Sequence, residues 1–373
     1  MDLELVELYK KTFETTVKKH LVIDEGKEAV FNPGVYKGSK YYVYARTSTH
    51  HVNYTSWIRL YESSDGLNFR LVKDFFMYPP YTVKEYIYGF EDDRCVNFKN
   101  LWVHTHSTLL AKNVEQPTRK EYVDFIGVSI GKKADEATFV GIVDIPGSKN
   151  SSLVGNIPWL IHRPLSWTDT PVIWYGKFSE GFQEALDNLN LIEKNGYPLE
   201  ELIRLSPPKE NRILLVPLKS WRAFKIGLGA PPISIGDNRY LFTFHVRSIP
   251  YQYWIGAGIL VEDEEKLHLE KLLPFPICIP NTPWELIGDV PKVCFICGAT
   301  ISNGNFEGWY GAADTKVMKF EVKLDYLISV IEKFGIKEAE LKSETEALVR
   351  KNLEKLRKNI LVDRIWLNNT LSD

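Results

Sequence analysis

Three consecutive acidic residues followed by an arginine, Glu91-Asp92-Asp93-Arg94, form the densest group of residues that could carry out chemistry. They follow Gly89-Phe90 and lead into an apolar stretch, so we expect a loop or strand start where carboxylates and a guanidinium converge. An isolated acidic run is most often a solvated turn. A carboxylic acid held in such a segment could also donate a proton to a leaving group, which makes the segment a candidate catalytic centre.

Other spacings that are typical of functional sites carry less weight. His50-His51 and His104-x-His106 could ligate a metal, but no third ligand has a matching spacing, so no metal site is predicted. Cys294-x-x-Cys297 has no second pair and lies in an apolar run, which indicates packed thiols. Gly227-x-Gly229 lacks the strand, helix and distal acid that a dinucleotide site requires. We predict no organic cofactor.

Short strands are the elements that must position these residues. From about residue 28 to 320 the chain consists of segments rich in Val, Ile, Tyr, Phe and Trp, separated by Gly, Pro, Asn and Asp. So many short strands favour a β-propeller or a large sandwich over βαβ units. The clearest strand-like segments are residues 40–46, 56–63, 124–131, 239–247, 253–262 and 292–301.

Both ends of the chain have helical patterns. Apolar residues recur at helical spacing near the N-terminus, and we assign residues 1–27 to an N-terminal helix. A second helical pattern begins near residue 323 and predicts a C-terminal helical extension over residues 323–373, which packs on the strands or mediates an oligomer contact. Residues 28–322 form the predicted catalytic domain, with a helical insertion at about 181–204.

Composition limits the class of protein. The chain has 373 residues, 46 basic and 48 acidic, and a formal net charge of −2, so no nucleic-acid-binding surface is indicated. It shows no apolar signal-peptide segment and no run long enough to span a membrane, and a cytoplasmic location is the simplest expectation. Aromatic residues make up 13%, including 10 Trp, which suits both sheet cores and sugar-stacking platforms. Trp221 is our candidate for a sugar contact.

The acidic segment and its flanks resemble glycoside hydrolase family 130, the family of the β-mannoside phosphorylases and related β-mannosidases. Gly89-Phe90-Glu91-Asp92-Asp93-Arg94 is similar to the family's Gly-x-Glu-Asp-Pro-Arg, with Asp93 in place of the proline. The resemblance runs from about residue 30 to 320, and the other similar segments follow in the family's order. These are residues 31–34, Arg46, 56–58, 63–69, 148–150, 162–164, 225–233, His245, 283–288, 293–295 and 310–315.

This resemblance implies a five-bladed β-propeller with the substrate at its central channel. It also implies that Asp92 is the general acid, with its proton relayed through a hydroxyl of the bound mannosyl unit. Inverting cleavage of a glycoside needs such a proton donor and room for a nucleophile on the opposite face. The residues expected to bind the sugar are Asn32, Arg46, Glu91, Arg94, Lys225 and Asp314, together with Trp221.

The identity of the nucleophile separates three functions. Phosphate would need clustered cations, and the candidates are Arg163, His245 and Lys149. In that case β-mannosides are phosphorolysed to α-mannose 1-phosphate, with inorganic phosphate as co-substrate. A carboxylate near residues 104–131, such as Glu121 or Asp124, could instead activate water in a hydrolase. The third alternative is a catalytically silent propeller that binds carbohydrate.

Overall fold

The structure is a computed structural model that describes residues 1–49, 55–80, 87–111, 122–165, 167, 170–197, 201–249, 252–341, 346, 350 and 354. Strands account for most of the regular structure in these segments, which confirms the predicted mostly-β character. Among the helices of the described segments, none is long and apolar enough to cross a membrane.

The first half of the chain forms two consecutive groups of antiparallel strands. After α1 (Leu3–Thr12), the first elements are β1 (Lys18–Ile23), β2 (Ala29–Lys37), β3 (Tyr41–Ser48), β4 (Ser56–Ser63), β5 (Arg70–Met77), β6 (Ile87–Phe98), β7 (Leu101–Ala111), β8 (Tyr122–Gly131) and β9 (Thr138–Val143). Strands β2 to β5 pair with their neighbours in chain order, and so do β6 to β9. A parallel pair between Ser56 and Gly89 joins the two groups into one sheet.

The next group is interrupted by a helix. Its elements are β10 (Ser148–Val154), β11 (Trp159–Pro164), β12 (Ile173–Lys177), α2 (Ser179–Asn195), β13 (Arg204–Leu205) and β14 (Lys209–Leu215). Strands β10, β11, β12 and β14 form an antiparallel sheet, whereas the short β13 pairs in parallel with β9. Helix α2 is the predicted insertion, although it ends at Asn195 rather than near residue 204.

Two further sheets complete the described fold. Their elements are β15 (Ala223–Leu228), β16 (Ile233–Gly236), β17 (Arg239–Ser248), β18 (Gln252–Glu262), β19 (Leu267–Leu272), α3 (Pro283–Leu286), β20 (Cys294–Ser302), β21 (Asn305–Ala312), β22 (Lys316–Lys323), α4 (Leu324–Phe334) and β23 (Ile336–Lys337). Strands β15 to β19 form an antiparallel sheet with β23 at its edge, and β20 to β22 form the other.

The N-terminal strand β1 pairs antiparallel with β22, so the beginning of the chain completes the last sheet. The prediction of a helix over residues 1–27 is therefore wrong beyond Thr12, where α1 ends. The physical reason is that Leu21 and Ile23 pack against apolar side chains between the sheets. Lys19 instead extends to Glu285, an ion pair that a continuous helix would not form in this position.

The C-terminal prediction is only partly covered by the described residues. Helix α4 begins at Leu324 and packs its apolar side chains Leu327, Val330 and Ile331 into the core. This is the first part of the predicted C-terminal helical extension. The rest of this predicted extension, up to residue 373, lies mainly outside the described residues, so it stays a prediction.

Burial of strand β6 explains why its acids lie inside the protein. Apolar side chains from several sheets pack into clusters on both sides of the strands, and the largest cluster includes Trp159, Trp174 and Trp254. Within β6, Glu91 and Asp92 are each 7% exposed, and Asp93 is fully buried. Buried ionised groups need charged or hydrogen-bonding partners, and those partners define the candidate site.

Candidate active site

A cavity of about 320 Å³ lies where strands from every sheet approach one another. Its polar lining residues come from β2, β3, β6, β8, β10, β11, β15, β17 and β18 and from the loop after β21. The residues that line it are Phe31, Asn32, Arg46, Glu91, Asp92, Tyr122, Lys149, Asn150, Arg163, Lys225, Arg247, Tyr253, Val290, Pro291, Val293, Phe295 and Asp314.

Four of these residues have a left-handed backbone. The φ angles are +46° at Asn32, +55° at Asp92, +51° at Asn150 and +53° at Asp314. Asn and Asp tolerate this conformation better than other residues with a side chain, because their short polar groups bond locally. At Asn32, Asp92 and Asn150 the strand pairing also shifts register, which is a bulge that turns the side chain out of the sheet pattern. The bulges therefore direct these polar groups into the cavity.

Carboxylates in the cavity lining are grouped around Arg46. The Asn32 amide Nδ2 donates to Oδ1 of Asp92 at 2.8 Å, and Arg46 Nη1 lies 3.2 Å from the same oxygen. The other terminal nitrogen of Arg46 pairs with Glu91. Arg46 thus bridges two adjacent acids and holds them in a fixed orientation.

The three carboxyl groups have different pKa shifts. Burial would raise the pKa of Asp92, but the Arg46 guanidinium and the Asn32 amide outweigh it and hold this pKa below its ordinary value. Burial raises the pKa of Glu91 despite the attraction of Arg46. It also raises the pKa of Asp314 to about 7, against Arg46 and with added repulsion from Asp92. Protons in this group of acids are therefore held at Asp314 and Glu91 more firmly than at Asp92.

Several cations also line the cavity. Lys149, Arg163, Lys225 and Arg247 all line it. Burial, followed by repulsion from Arg163 and Lys149, lowers the pKa of Lys225 to about 6. Burial lowers the pKa of Arg163 to about 10, and its buried Nε has no hydrogen-bond partner among the described residues. Desolvated cations that repel one another are stabilised by a multivalent anion between them.

The structure brings together eight of the eleven residues that the sequence singled out. The cavity lining contains Asp92 and the predicted sugar-binding residues Asn32, Arg46, Glu91, Lys225 and Asp314. It also contains Arg163 and Lys149, two of the three predicted phosphate-binding residues. Their roles stay predictions, because the geometry gives their positions and not their ligands.

Arg94 and His245 lie directly behind the cavity wall. Arg94 donates to the carbonyl oxygens of Leu228, Gly229 and Asp92 at 2.6–2.9 Å, so it ties β6 to β15 and is 1% exposed. His245 is fully buried, and its Nε2 lies 3.4 Å from Nη1 of Arg163. Burial and nearby cations lower the pKa of His245 well below its ordinary value, so the neutral ring positions Arg163.

Trp221 does not line the cavity. It is fully buried, its ring stacks on Phe244 with centroids 5.3 Å apart, and its Nε1 donates to the Pro274 carbonyl at 2.7 Å. The prediction of a sugar contact at Trp221 is therefore wrong. The physical reason is that this indole fills the core beside Trp254, with its only polar atom bonded to the backbone.

Four polar cavity residues were absent from the predicted set: Tyr122, Asn150, Arg247 and Tyr253. Asn150 is 2% exposed, and both polar atoms of its amide lack a partner among the described residues, which suits a ligand contact. Arg247 of β17 lies opposite Lys225 of β15 in the antiparallel ladder, and its guanidinium lies 5.7 Å from the centroid of the Tyr253 ring. The signal for Arg247 was its place two residues after His245 in the same strand, because alternate strand residues share a face.

The fold is similar to that of several solved structures. The solved structure of β-1,2-mannobiose phosphorylase from Listeria innocua, in complex with β-1,2-mannobiose, superposes with a TM-score of 0.62 at 17% identity, covering 84% of this chain and 93% of that one. The structure of MPT-4, a mannose phosphorylase from Leishmania mexicana in complex with a phosphate ion, gives a TM-score of 0.58 at 15% identity, covering 91% and 97%. At these identities the two structures show a shared fold.

Sequence comparison finds similarity to the same family in parts of the chain. Residues 210–333 match the model of the glycoside hydrolase family 130, described as β-1,4-mannooligosaccharide phosphorylase. The 1,2-β-oligomannan phosphorylase of Thermoanaerobacter sp. (strain X514) is 31% identical over 110 residues, which are 29% of this chain and 36% of that relative. The alignment thus spans about a third of the relative's length. Together these matches confirm the resemblance to glycoside hydrolase family 130.

Proposed function

We propose that this protein is an enzyme that cleaves β-mannosides by phosphorolysis with inversion, releasing α-mannose 1-phosphate. The observation that carries the proposal is that one cavity is lined both by a group of acids and by a group of cations. The acids are Asp92, Glu91 and Asp314, and the cations are Lys149, Arg163, Lys225 and Arg247. A sugar between them would have an acid at its leaving oxygen and an anion at its anomeric carbon.

The carboxylates would supply the proton. In the proposed reaction the bond between the anomeric carbon and the glycosidic oxygen breaks, and that oxygen takes a proton that Asp92 delivers through a hydroxyl of the mannosyl unit. Because Glu91 and Asp314 hold protons more firmly than Asp92, substrate binding has to shift a proton towards Asp92. A sugar that separates Asp92 from Arg46 would raise the pKa of Asp92 and produce this shift.

The cations would hold the nucleophile. Phosphate between Arg163, Lys225 and Lys149 would form the new bond to the anomeric carbon from the face opposite the leaving group, which gives the α-anomer. Arg247 adds a fourth cation at the same cavity. Charge-assisted hydrogen bonds of this kind stabilise a dianion more strongly than neutral donors do. Inorganic phosphate is a co-substrate here, and the proposal needs no metal or organic cofactor.

Asp124 is the described carboxylate that could favour hydrolysis, and its contacts argue against that role. Its Oδ1 lies 3.0 Å from Lys149 Nζ, and the residue does not line the cavity. An ion-paired carboxylate outside the cavity is badly placed to take a proton from water. Glu121 lies outside the described residues. The cations that line the cavity therefore favour phosphate as the nucleophile.

The same proposal includes a five-bladed propeller with helical extensions. Apart from β13 and β23, the strands divide into five consecutive antiparallel groups: β2–β5, β6–β9, β10–β12 with β14, β15–β19, and β20–β22 with β1. Pairing between β1 and β22 would then link the two ends of the chain within one blade and close the ring. We also propose that the enzyme acts in the cytoplasm, where phosphate is abundant.

The test is product analysis with and without phosphate. Purified protein is incubated with β-1,2-, β-1,3- and β-1,4-mannobiose and with β-mannosyl-glucose, and the products are separated by anion-exchange chromatography. We expect α-mannose 1-phosphate only when phosphate is present. Free mannose at equal rates with and without phosphate would establish a hydrolase instead. No turnover together with measurable sugar binding would favour the carbohydrate-binding alternative.

A further inference from the structure

A second ionic group lies behind the cavity, at the residue that follows Asp92. The Asp93 carboxylate Oδ2 is 3.0 Å from Nδ1 of His104, and both side chains are fully buried. Edges of two aromatic rings enclose the imidazole, with centroids 4.6 Å away at Tyr44 and 5.7 Å away at Phe76. None of these residues lines the cavity, so the pair is not placed to contact a substrate there.

The short contact joins the Asp93 carboxylate to an imidazole whose pKa is raised. Burial alone would lower the pKa of His104, but the Cys95 sulfur and the Asp93 carboxylate outweigh it and raise this pKa to about 10. The Cys95 sulfur lies 3.7 Å from His104 Nε2, and burial raises the pKa of this thiol. Cys95, His104 and Asp93 thus contact one another in that order. Because the group is buried and the pKa of its thiol is raised, it suits anchoring of Asp93 and not nucleophilic attack.

The backbone at this point is held tightly. The β6–β7 register shifts between Glu91 and Arg94, so Asp92 and Asp93 form the bulge, and Asp92 carries the left-handed φ of +55°. On the other side, a Cβ added at Gly34 of β2 would lie 2.5 Å from Oδ2 and 2.9 Å from the carbonyl oxygen of Asp93. Strand β2 therefore approaches Asp93 so closely that the carboxylate has no room to move towards Gly34.

These contacts hold the β6 bulge in place at Asp93. Asp93 is anchored in the core by His104, and the preceding residue carries the carboxylate that contacts Asn32 in the cavity. A bulge with one anchored side chain has few alternative conformations, because the anchor removes the freedom that a strained backbone would otherwise use to relax. We infer that the Asp93–His104 pair is a positioning pair that holds the Asp92 carboxylate in its reactive orientation. This inference rests on the proposed function of Asp92.

The test compares two disruptions of the anchor with a matched control. Asp93→Asn keeps the shape of the side chain and one hydrogen bond but removes the charge. Gly34→Ala is a change in β2, and its new methyl group would push the Asp93 carboxylate away. The control is Glu307→Gln, because Glu307 forms a similarly buried ion pair with Lys319, 3.2 Å apart, in another sheet. Melting temperatures of all variants report how much each change destabilises the protein as a whole.

For phosphate-dependent cleavage of the best β-mannobioside, we expect both anchor variants to lose at least about tenfold in kcat with KM changed less than about threefold, because displaced reacting groups mainly affect the chemical step. The control should lose comparable thermal stability but keep its kcat. Equal kcat values per folded molecule in the anchor variants and the control would overturn the inference, since the pair would then be purely structural.

Crystal structures of Asp93→Asn and Gly34→Ala give a readout that does not need turnover. We expect the Asp92 carboxylate to leave its 2.8 Å contact with Asn32 in both variants. If the wild-type protein cleaves no mannoside, the proposed function fails, and the positions of Asp92 in these structures still decide whether the pair orients it. An unmoved Asp92 carboxylate in both variants would refute positioning by Asp93 and His104.

Discussion

At the scale of single residues, Asn and Asp in the left-handed conformation account for the shape of the cavity. Asn32, Asp92, Asn150 and Asp314 each direct a polar group inwards from a bulge or turn. A β-branched or bulky residue at these positions would be strained by its Cβ, whereas Asn and Asp can exchange with little backbone cost. Asp→Asn substitutions are therefore suitable probes of charge at this site, because the backbone can stay the same.

Asp92→Asn tests the general acid. The substitution removes the proton that the leaving oxygen needs but keeps the amide contact to Asn32. We expect kcat to fall by about 10²–10⁴-fold, the usual contribution of a positioned acid. Sugar binding, measured by calorimetry, should change little. Turnover close to that of the wild type would show that another group, such as Glu91, donates the proton.

Asp314→Asn tests the raised pKa of Asp314 through stability. With a pKa of about 7 in the folded state and its ordinary, lower pKa in the unfolded state, Asp314 stays protonated longer when the protein is folded. The folded state then binds more protons between about pH 4 and 7, so this contribution to the free energy of unfolding falls as pH rises through that range. In Asp314→Asn this contribution is absent.

The measurement is urea denaturation of the wild type and of Asp314→Asn from pH 4 to 8. The stability of the wild type relative to the variant should decrease from pH 4 to 7 and then level off. Asp237→Asn is the matched control, because Asp237 is an exposed aspartate that also has a left-handed backbone, with φ +54°. A stability difference that stays constant or grows with pH would contradict the raised pKa.

Lys225 gives a prediction about proton uptake. Because its pKa is lowered to about 6, Lys225 is mostly neutral at pH 8, and a bound dianion would favour its protonated form. We expect phosphate binding at pH 8 to take up close to one proton, seen as a binding enthalpy that depends on the ionisation enthalpy of the buffer. Lys225→Arg should bind phosphate without this uptake, since arginine stays charged. Equal uptake in both proteins would assign the proton to another group.

At this scale, the sequence could predict those site residues whose type and order along the chain are informative by themselves. Asp92, Arg46 and Lys149 were predicted because their types and their order along the chain resemble a known pattern. Arg247 was missed because its spacing from His245 showed only a shared strand face, whereas its place opposite Lys225 depends on the pairing of β17 with β15. Trp221 was misassigned because an indole is equally suited to a core and to a sugar platform, and only burial distinguishes the two.

At the scale of elements, strand β1 is held by a buried polar group rather than by apolar contacts alone. Lys19 Nζ lies 2.7 Å from Glu285 Oε1, and it also donates to the Ile279 carbonyl. The Tyr310 hydroxyl and the Cys294 thiol donate to the same carboxylate. Glu285 thus connects α3 and β21 to the N-terminal strand. The sequence predicted neither this ion pair nor β1, because Lys19 reads as part of a charged helical face.

Lys19→Met tests this connection. Removing one partner of a buried ion pair leaves the other charge uncompensated, so we expect the free energy of unfolding to fall by about 3–5 kcal/mol. Glu285→Gln in the same background should recover part of that loss, which separates the charge effect from lost packing. Lys10→Met removes an exposed ion pair with Glu7 in α1 and should change stability little. The measurement is equilibrium denaturation, and a loss no larger than that of Lys10→Met would contradict the role of Lys19.

At the scale of the whole molecule, the cavity draws its charges from sheets that are far apart in the chain. Asn32 lies in β2, near the beginning of the sequence, and Asp314 follows β21, near the end of the strands. The cations lie between them in the sequence. The sequence indicated many short strands and a mostly-β fold. The prediction that the strands form a five-bladed propeller came only from the family resemblance. Such a cavity exists only when every sheet is in place, so ligand binding and global stability are coupled.

The last prediction uses that coupling. In the proposed complex phosphate lies between cations that repel one another, so we expect it to stabilise the folded protein by about 2.7 kcal/mol at 100 times its dissociation constant. We expect the melting temperature to rise with phosphate concentration in the wild type and to rise much less in Arg163→Met, which lacks a central cation. Arg204→Met is the control, because Arg204 forms an exposed pair with Asp144 away from the cavity. Mannose should raise the melting temperature of both variants, since Asp92, Glu91 and Asp314 are unchanged in each. Equal phosphate stabilisation of Arg163→Met and Arg204→Met would mean that the anion binds elsewhere, and the phosphorolysis proposal would lose its structural basis.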